Sequence, residues 1–199
     1  MSNHSSELSA RSPFRLDGHR ALVTGGTQGV GAAIAMSIAR AGADVLLLGL
    51  RDDDFAQRTL AACRDQGVTA DLLTIDLAQP PPRYVDSLMA QIDQTMPGID
   101  LLVNNAGTYI DPPFFELDFE CFEKTMLLNV AAGFFLTQSI SRRWVDQKVK
   151  GRVLFTGSIN GLLSEPDHTA YDTSKGAVAA MVRSLCVALA PHGIRVNSM

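Results

Sequence analysis

Tyr171 and Lys175 stand four residues apart in "YDTSK", and Ser158 lies thirteen residues before the tyrosine in "FTGSING". Residues four apart on a helix share a face. A free phenol titrates near pH ~10, far from the range of a useful acid or base at neutral pH. A neighbouring ammonium favours the phenolate and brings proton transfer within reach. On its own, Y-x-x-x-K is also an ordinary exposed helix pair. Ser158 adds to it, because it follows the apolar run "RVLFT" and so sits just past a strand. Ser158 and Tyr171 then bracket one strand-to-helix connection, where two hydroxyls could hold one substrate oxygen.

A second group of residues fits phosphate. The first apolar run, "RALVT", leads into "TGGTQGVG", Thr24–Gly31, and then into a helix. Glycines let a backbone approach a pyrophosphate, and a helix N-terminus offers free N–H groups and a positive dipole end. The spacing is Gly25-x-x-x-Gly29-x-Gly31, with Thr27, Gln28 and Val30 between. A plain strand-to-helix turn would read much the same. Opening the first β-α unit of a doubly wound sheet, the loop instead points to a dinucleotide. A carbonyl held by Ser158 and Tyr171 and facing a nicotinamide is a hydride-transfer arrangement.

The ends of the next strands supply further candidates. The second ends in "LLLGLRDDD". Arg51 arrives first and favours a 2′-phosphate, as in NADP, while Asp52 could curl back to the ribose of NAD. The three aspartates also suit a solvated turn, with Asp53 or Asp54 capping the next helix. Asp76 and Leu77 end the third strand, where the carboxylate could accept from an adenine amino group or simply cap a turn. The fourth strand ends in "VNNAG", placing Asn104, Ala106 and Gly107 at the crevice, although such residues also make turns.

The elements that must position these groups alternate strictly. Strands are expected at Arg20–Thr24, Asp44–Leu48, Thr69–Thr74, Ile99–Asn104, Arg152–Thr156 and from Arg195. Helices are expected at Gly29–Ala41, Asp54–Gln66, Tyr84–Met96, about Phe119–Asp146 and about Ala170–Ala190. The strands are nearly unbroken in apolar residues, as in strands buried on both faces. The expected class is therefore α/β, a doubly wound parallel sheet of the Rossmann type, in one domain. Residues 16–199 form that domain and residues 1–15 a flexible polar tail. Glycines such as Gly18, Gly42, Gly67, Gly98, Gly151 and Gly193 precede the strands, and most suit helix C-caps.

Composition narrows the classes. Hydrophobic residues are 46% and charged residues 19%, with a formal net charge of -4. Nothing argues for nucleic acid or an anionic membrane. No run approaches an unbroken membrane span. Cys63, Cys121 and Cys186 lack metal or redox spacing and suit reduced thiols in the cytoplasm. His4, His19, His168 and His192 are scattered, so no metal site is expected. His168 is near enough to Tyr171 to touch substrate, or is simply a loop histidine.

The chain resembles the short-chain dehydrogenase/reductase family. "TGGTQGVG", "NNAG", the serine of "FTGSI" and "YDTSK" match in the family's order, and "LLNVAAGFFLTQ" and "GIRVNS" match further family stretches. The resemblance covers about Leu16 to the C-terminus. It implies an NAD(P)-dependent oxidoreductase acting on a small carbonyl or alcohol. Tyr171 would be the general acid/base, Ser158 would steady the substrate oxygen, and Lys175 would bond the nicotinamide ribose. Asn129 would hold a relay water and distort its helix. Family members preferring NADP often carry a basic residue where Gln28 stands, and often another one step before Arg51, so NADP and NAD both stay open.

Family members also continue past "RVNS" with a loop, a lid and a last strand that this sequence does not contain. The chain is therefore expected to be a shortened form, with its sixth strand a sheet edge. The alternative reading is a nucleotide-binding chain without turnover. The resemblance further implies a homo-oligomer, dimer or tetramer, packed through the two long helices.

Overall fold

The computed structural model describes residues 14–110 and 112–199. Six strands form its sheet: β1 (Arg20–Thr24), β2 (Asp44–Gly49), β3 (Ala70–Thr74), β4 (Leu101–Asn104), β5 (Arg152–Phe155) and β6 (Arg195–Ser198). All pair in parallel, in the order β3-β2-β1-β4-β5-β6. The order reverses between β1 and β4, which opens a crevice at their C-terminal ends. The Rossmann expectation holds.

The helices are α1 (Gly29–Arg40), α2 (Asp54–Arg64), α3 (Val85–Thr95), α4 (Phe119–Met126), α5 (Ala132–Asp146) and α6 (Thr169–Leu189). One sheet face presents Leu22, Leu46, Leu102 and Val153, and these pack with Leu88, Leu136 and Val178 of α3, α5 and α6. The opposite face presents Val23, Val45, Leu47 and Val103 to Ala35, Ala39, Leu60 and Cys63 of α1 and α2. Alternate residues of each strand face opposite ways, so strands buried on both sides must be apolar throughout. The second layer is thinner: Leu101 and Leu154 are only partly buried on that face.

Three details depart from, or refine, the sequence expectations. The long helix expected at Phe119–Asp146 is interrupted by a π turn, Leu127–Ala131, with Asn129 buried at its centre. Gly151 is not a positive-φ cap; a Cβ there would lie 2.0 Å from the Trp144 ring, so only glycine lets the strand pass that side chain. Asp53, not Asp54, caps α2, accepting from the amides of Phe55 and Ala56. Of the expected N-terminal tail, residues 1–13 lie outside the described residues. Arg15 is already anchored, donating from Nε to Asp17 and from Nη1 to the Arg40 carbonyl.

Residues Thr169–His192 have the length and mean hydropathy, 1.2, of a membrane span. In the fold the helix lies on the sheet, with Val178, Met181 and Val182 in the core.

Candidate active site

A cleft of ≈ 770 Å³ opens over the C-terminal ends of the strands. The glycine loop forms one wall. Gly25 and Gly29 have φ of 60° and 55°, a region that L side chains avoid. A Cβ on Gly31 would fall 2.0 Å from the Gly25 carbonyl oxygen. Gln28 precedes α1 in extended conformation without capping it through its side chain, and residues 28–31 line the cleft. Thr27 is tied down by Thr59 of α2, whose hydroxyl donates to its carbonyl at 2.9 Å.

The end of β4 is stitched to this loop. The Thr24 hydroxyl oxygen accepts from the amides of Asn105 and Ala106, each at 2.9 Å. The Asn105 carboxamide donates to the carbonyls of Thr24 and Gly25, and accepts from the Thr156 hydroxyl at 3.1 Å. Asn105, Ala106 and Gly107 therefore line the cleft. Asn104, the sequence candidate, does not. Its side chain turns into the helical layer and donates to the Thr137 hydroxyl at 3.0 Å. Strand alternation sends neighbours to opposite faces, and the duplicated Asn hid which of the two faces the cleft.

Beside the glycine loop, at the ends of β2 and β3, stand Arg51, Asp76 and Leu77. Asp52 accepts from the Gln57 side chain, and Asp53 is occupied as a helix cap. Arg51 is exposed and has no ion-pair partner among the described residues. Asp76 accepts from the Ala78 amide and the Gln79 side chain. The turn role is thus real, though the residue still lines the cleft.

Tyr171 and Lys175 enter from α6. Lys175 is only 9% exposed; its Nζ donates to the Thr156 carbonyl at 3.0 Å and lies 5.6 Å from the Tyr171 ring centroid. Burial pushes its pKa below the ordinary lysine value. Asn129 accepts from the Thr108 amide at 2.8 Å and donates to the Thr108 carbonyl and the Ser174 hydroxyl. The carboxamide thus splints the loop after β4, a role the sequence did not announce. Ser158 begins the turn Ile159–Gly161 in an extended conformation. Above Tyr171, Tyr109 packs edge-on at 5.2 Å, and its hydroxyl meets His168 Nε2 at 2.5 Å. Tyr109 and Asn105 were missed by sequence reasoning, since neither carries a spacing signal.

The family model of the short chain dehydrogenases matches residues 19–199. The chain belongs to this family. Its relatives include the L-rhamnose 1-dehydrogenase (NADP(+)) of Thermoplasma acidophilum, 32% identical over 184 residues, 92% of this chain and 71% of that one. The glucose 1-dehydrogenase of Gluconobacter oxydans is 33% identical, over 93% of this chain and 69% of its own. Among solved structures, a 3-oxoacyl (acyl-carrier-protein) reductase from Agrobacterium tumefaciens C58 with NADP bound superposes with a TM-score of 0.86. It is 30% identical and covers 100% of this chain and 74% of its own. The chain is thus an oxidoreductase-family member that spans about 70% of the length of these relatives.

Proposed function

We propose that the chain binds a nicotinamide dinucleotide along the cleft and interconverts a small carbonyl compound and its alcohol. The observation that carries this reading is the shared cleft: the glycine loop, Tyr171 and Lys175 all line one space of ≈ 770 Å³. The cradle fits the group, because its amides, glycines and Arg51 offer positive ends without a carboxylate in the loop. When bound, the cofactor supplies or accepts the hydride.

The chain's residues do the rest. Tyr171 gives a proton to the carbonyl oxygen in reduction and takes it from the alcohol in oxidation. Ser158 holds that oxygen and steadies its developing charge. Lys175 orients the nicotinamide ribose and, being buried, parts with its proton more readily than a surface lysine. A cavity of ≈ 10 Å³ lies between Lys175, Asn129 and Thr24, about the space of one water. It supports a relay in which Asn129 helps carry protons to Lys175. Arg51 pairs with a 2′-phosphate, while Asp52 and Asp53 are turned to the Gln57 side chain and to the start of α2; NADP is the expected cofactor, consistent with the relative named for NADP(+) and the NADP-bound structure.

Exposed Phe119, Phe134, Phe135 and Val187 on α4, α5 and α6 support a homo-oligomer through these helices; sedimentation should show a mass above 21.4 kDa. The three free thiols support a reducing compartment such as the cytoplasm.

Turnover of NADPH and NADH is to be measured with sugars, ketones and 3-oxo compounds, for the chain and for Tyr171→Phe. Tyr171→Phe should lose ~10²–10⁴-fold in kcat with cofactor affinity kept. Turnover indifferent to that change would sink the mechanism. Thermal stabilisation by cofactor with no turnover would favour the second reading, a nucleotide-binding chain.

A further inference from the structure

We propose that Asn160, held by Asp172, is a positioning residue that fixes the rotamer of Ser158 and the direction its hydroxyl faces. The proposal rests on reading Ser158 as the group that holds the substrate oxygen.

The Asn160 Nδ2 donates to Asp172 Oδ1 at 2.8 Å. A carboxylate only accepts, so this bond decides which way the carboxamide points. Its oxygen must then face Ser158, at 3.2 Å. An amide oxygen also only accepts, so the Ser158 hydroxyl is the donor. The Asn160 backbone amide meanwhile donates back to Ser158 Oγ at 3.2 Å. Two bonds from one residue therefore bracket one hydroxyl. The second oxygen of Asp172 accepts from the Glu165 amide at 3.3 Å, and His168 Nδ1 lies 3.3 Å from Asn160 Nδ2. The carboxylate is thus held from both sides.

Asp172 directly follows Tyr171 on α6. The line Asp172, Asn160, Ser158 therefore ties the turn that carries the serine to the helix that carries the tyrosine. It leaves a lone pair of Ser158 Oγ open for an incoming hydroxyl. To support a developing alkoxide, Ser158 needs only to swing its hydrogen off Asn160; the oxygen itself stays in place. What is preorganised is the position of the oxygen; its hydrogen leaves Asn160 only as charge develops on the substrate.

The test uses the full chain and the variants Asp172→Leu, Asp172→Asn, Asn160→Ala and Ser158→Ala, each checked for cooperative thermal unfolding. The first readout needs no turnover: the Hα–Hβ couplings of Ser158 by NMR with serine-selective labelling, its signal identified by its loss in Ser158→Ala. The expected result is one rotamer in the parent chain and in Asp172→Asn, which keeps an acceptor oxygen. Asp172→Leu and Asn160→Ala should show averaged couplings. A single rotamer persisting in both of those folded variants overturns the proposal. The second readout is kcat. Asp172→Leu should lower it about tenfold, with cofactor KM unchanged, and Asp172→Asn should recover most of the loss. In a Ser158→Ala background the same change should cost nothing further; an equal loss in both backgrounds overturns the proposal. A parent chain that does not turn over refutes the proposed reaction for this chain, and the couplings alone then decide the positioning role.

Discussion

The two ends of the cleft are built differently. Around the glycine loop, side chains bond to backbone: the Thr24 hydroxyl receives two amides, the Asn105 carboxamide donates to two carbonyls, and Gly31 leaves no room for a Cβ. Around Tyr171, contacts run through side chains on loops. Tyr109 meets His168, Asn160 meets Asp172, and Leu162 stands 85% exposed nearby. A wall whose side chains are bonded to backbone suits an invariant ligand, because those side chains are held in place. A side-chain-built wall can be re-lined without disturbing the sheet, which suits a half that must match a particular substrate.

That contrast can be broken by experiment. The largest effect is expected from Gly31→Ala, whose methyl must displace the Gly25 carbonyl. Overpacking of this kind costs ~1–3 kcal/mol, so cofactor affinity should fall about tenfold or more, read by the cofactor-dependent thermal shift. An unchanged shift would show that the loop is more compliant than its contacts imply. Next, Thr24→Val keeps the shape but leaves two amides without their acceptor. A loss of about 2 kcal/mol in denaturant-derived stability is expected.

Lys175→Met tests the junction between the halves. Burial lowers the folded pKa of Lys175 below the ordinary lysine value of 10.5. Between those two values the unfolded chain binds a proton that the folded chain has lost, so this group's contribution to stability rises with pH. Lys175→Met should therefore be at least as stable as the parent near pH 7 while losing turnover. The gap should narrow as pH climbs towards 10.5, followed by denaturation at several pH values. A gap that widens would contradict burial as the cause. The smallest effect is expected from Tyr109→Phe. It removes one bond on a half-exposed side chain, and stability should move by no more than ~0.5 kcal/mol. Its effect should appear in the KM for substrate, with the cofactor thermal shift unchanged. A drop as large as that of Thr24→Val would erase the distinction between the two walls.

Much of the glycine-loop half was legible in the residues. Glycines at set spacing after an apolar run read as a phosphate loop, and the structure places Gly25, Gln28, Gly29 and Gly31 on the cleft. Tyr171 and Lys175 were equally readable, because helical periodicity alone puts them on one face. Asn104 shows the limit. Two identical residues in succession carry no mark of which one faces the crevice; only the pairing of β4 with its neighbours settles it. Asn160 and Tyr109 were not legible either, since their partners lie on other segments and no local spacing links them.

The sequence by itself determined the alternation of strand and helix, the phosphate loop and the Tyr171–Lys175 pair. These depend on short-range periodicity and on backbone freedom, which neighbouring residues dictate. Tertiary structure alone decided that Asn105 rather than Asn104 lines the cleft and that Asn129 splints Thr108. It also decided that Asp172 reaches across to Asn160 and Ser158. Each of those facts is a contact between distant segments, and such contacts exist only once the sheet has set the distance and facing of the loops it carries.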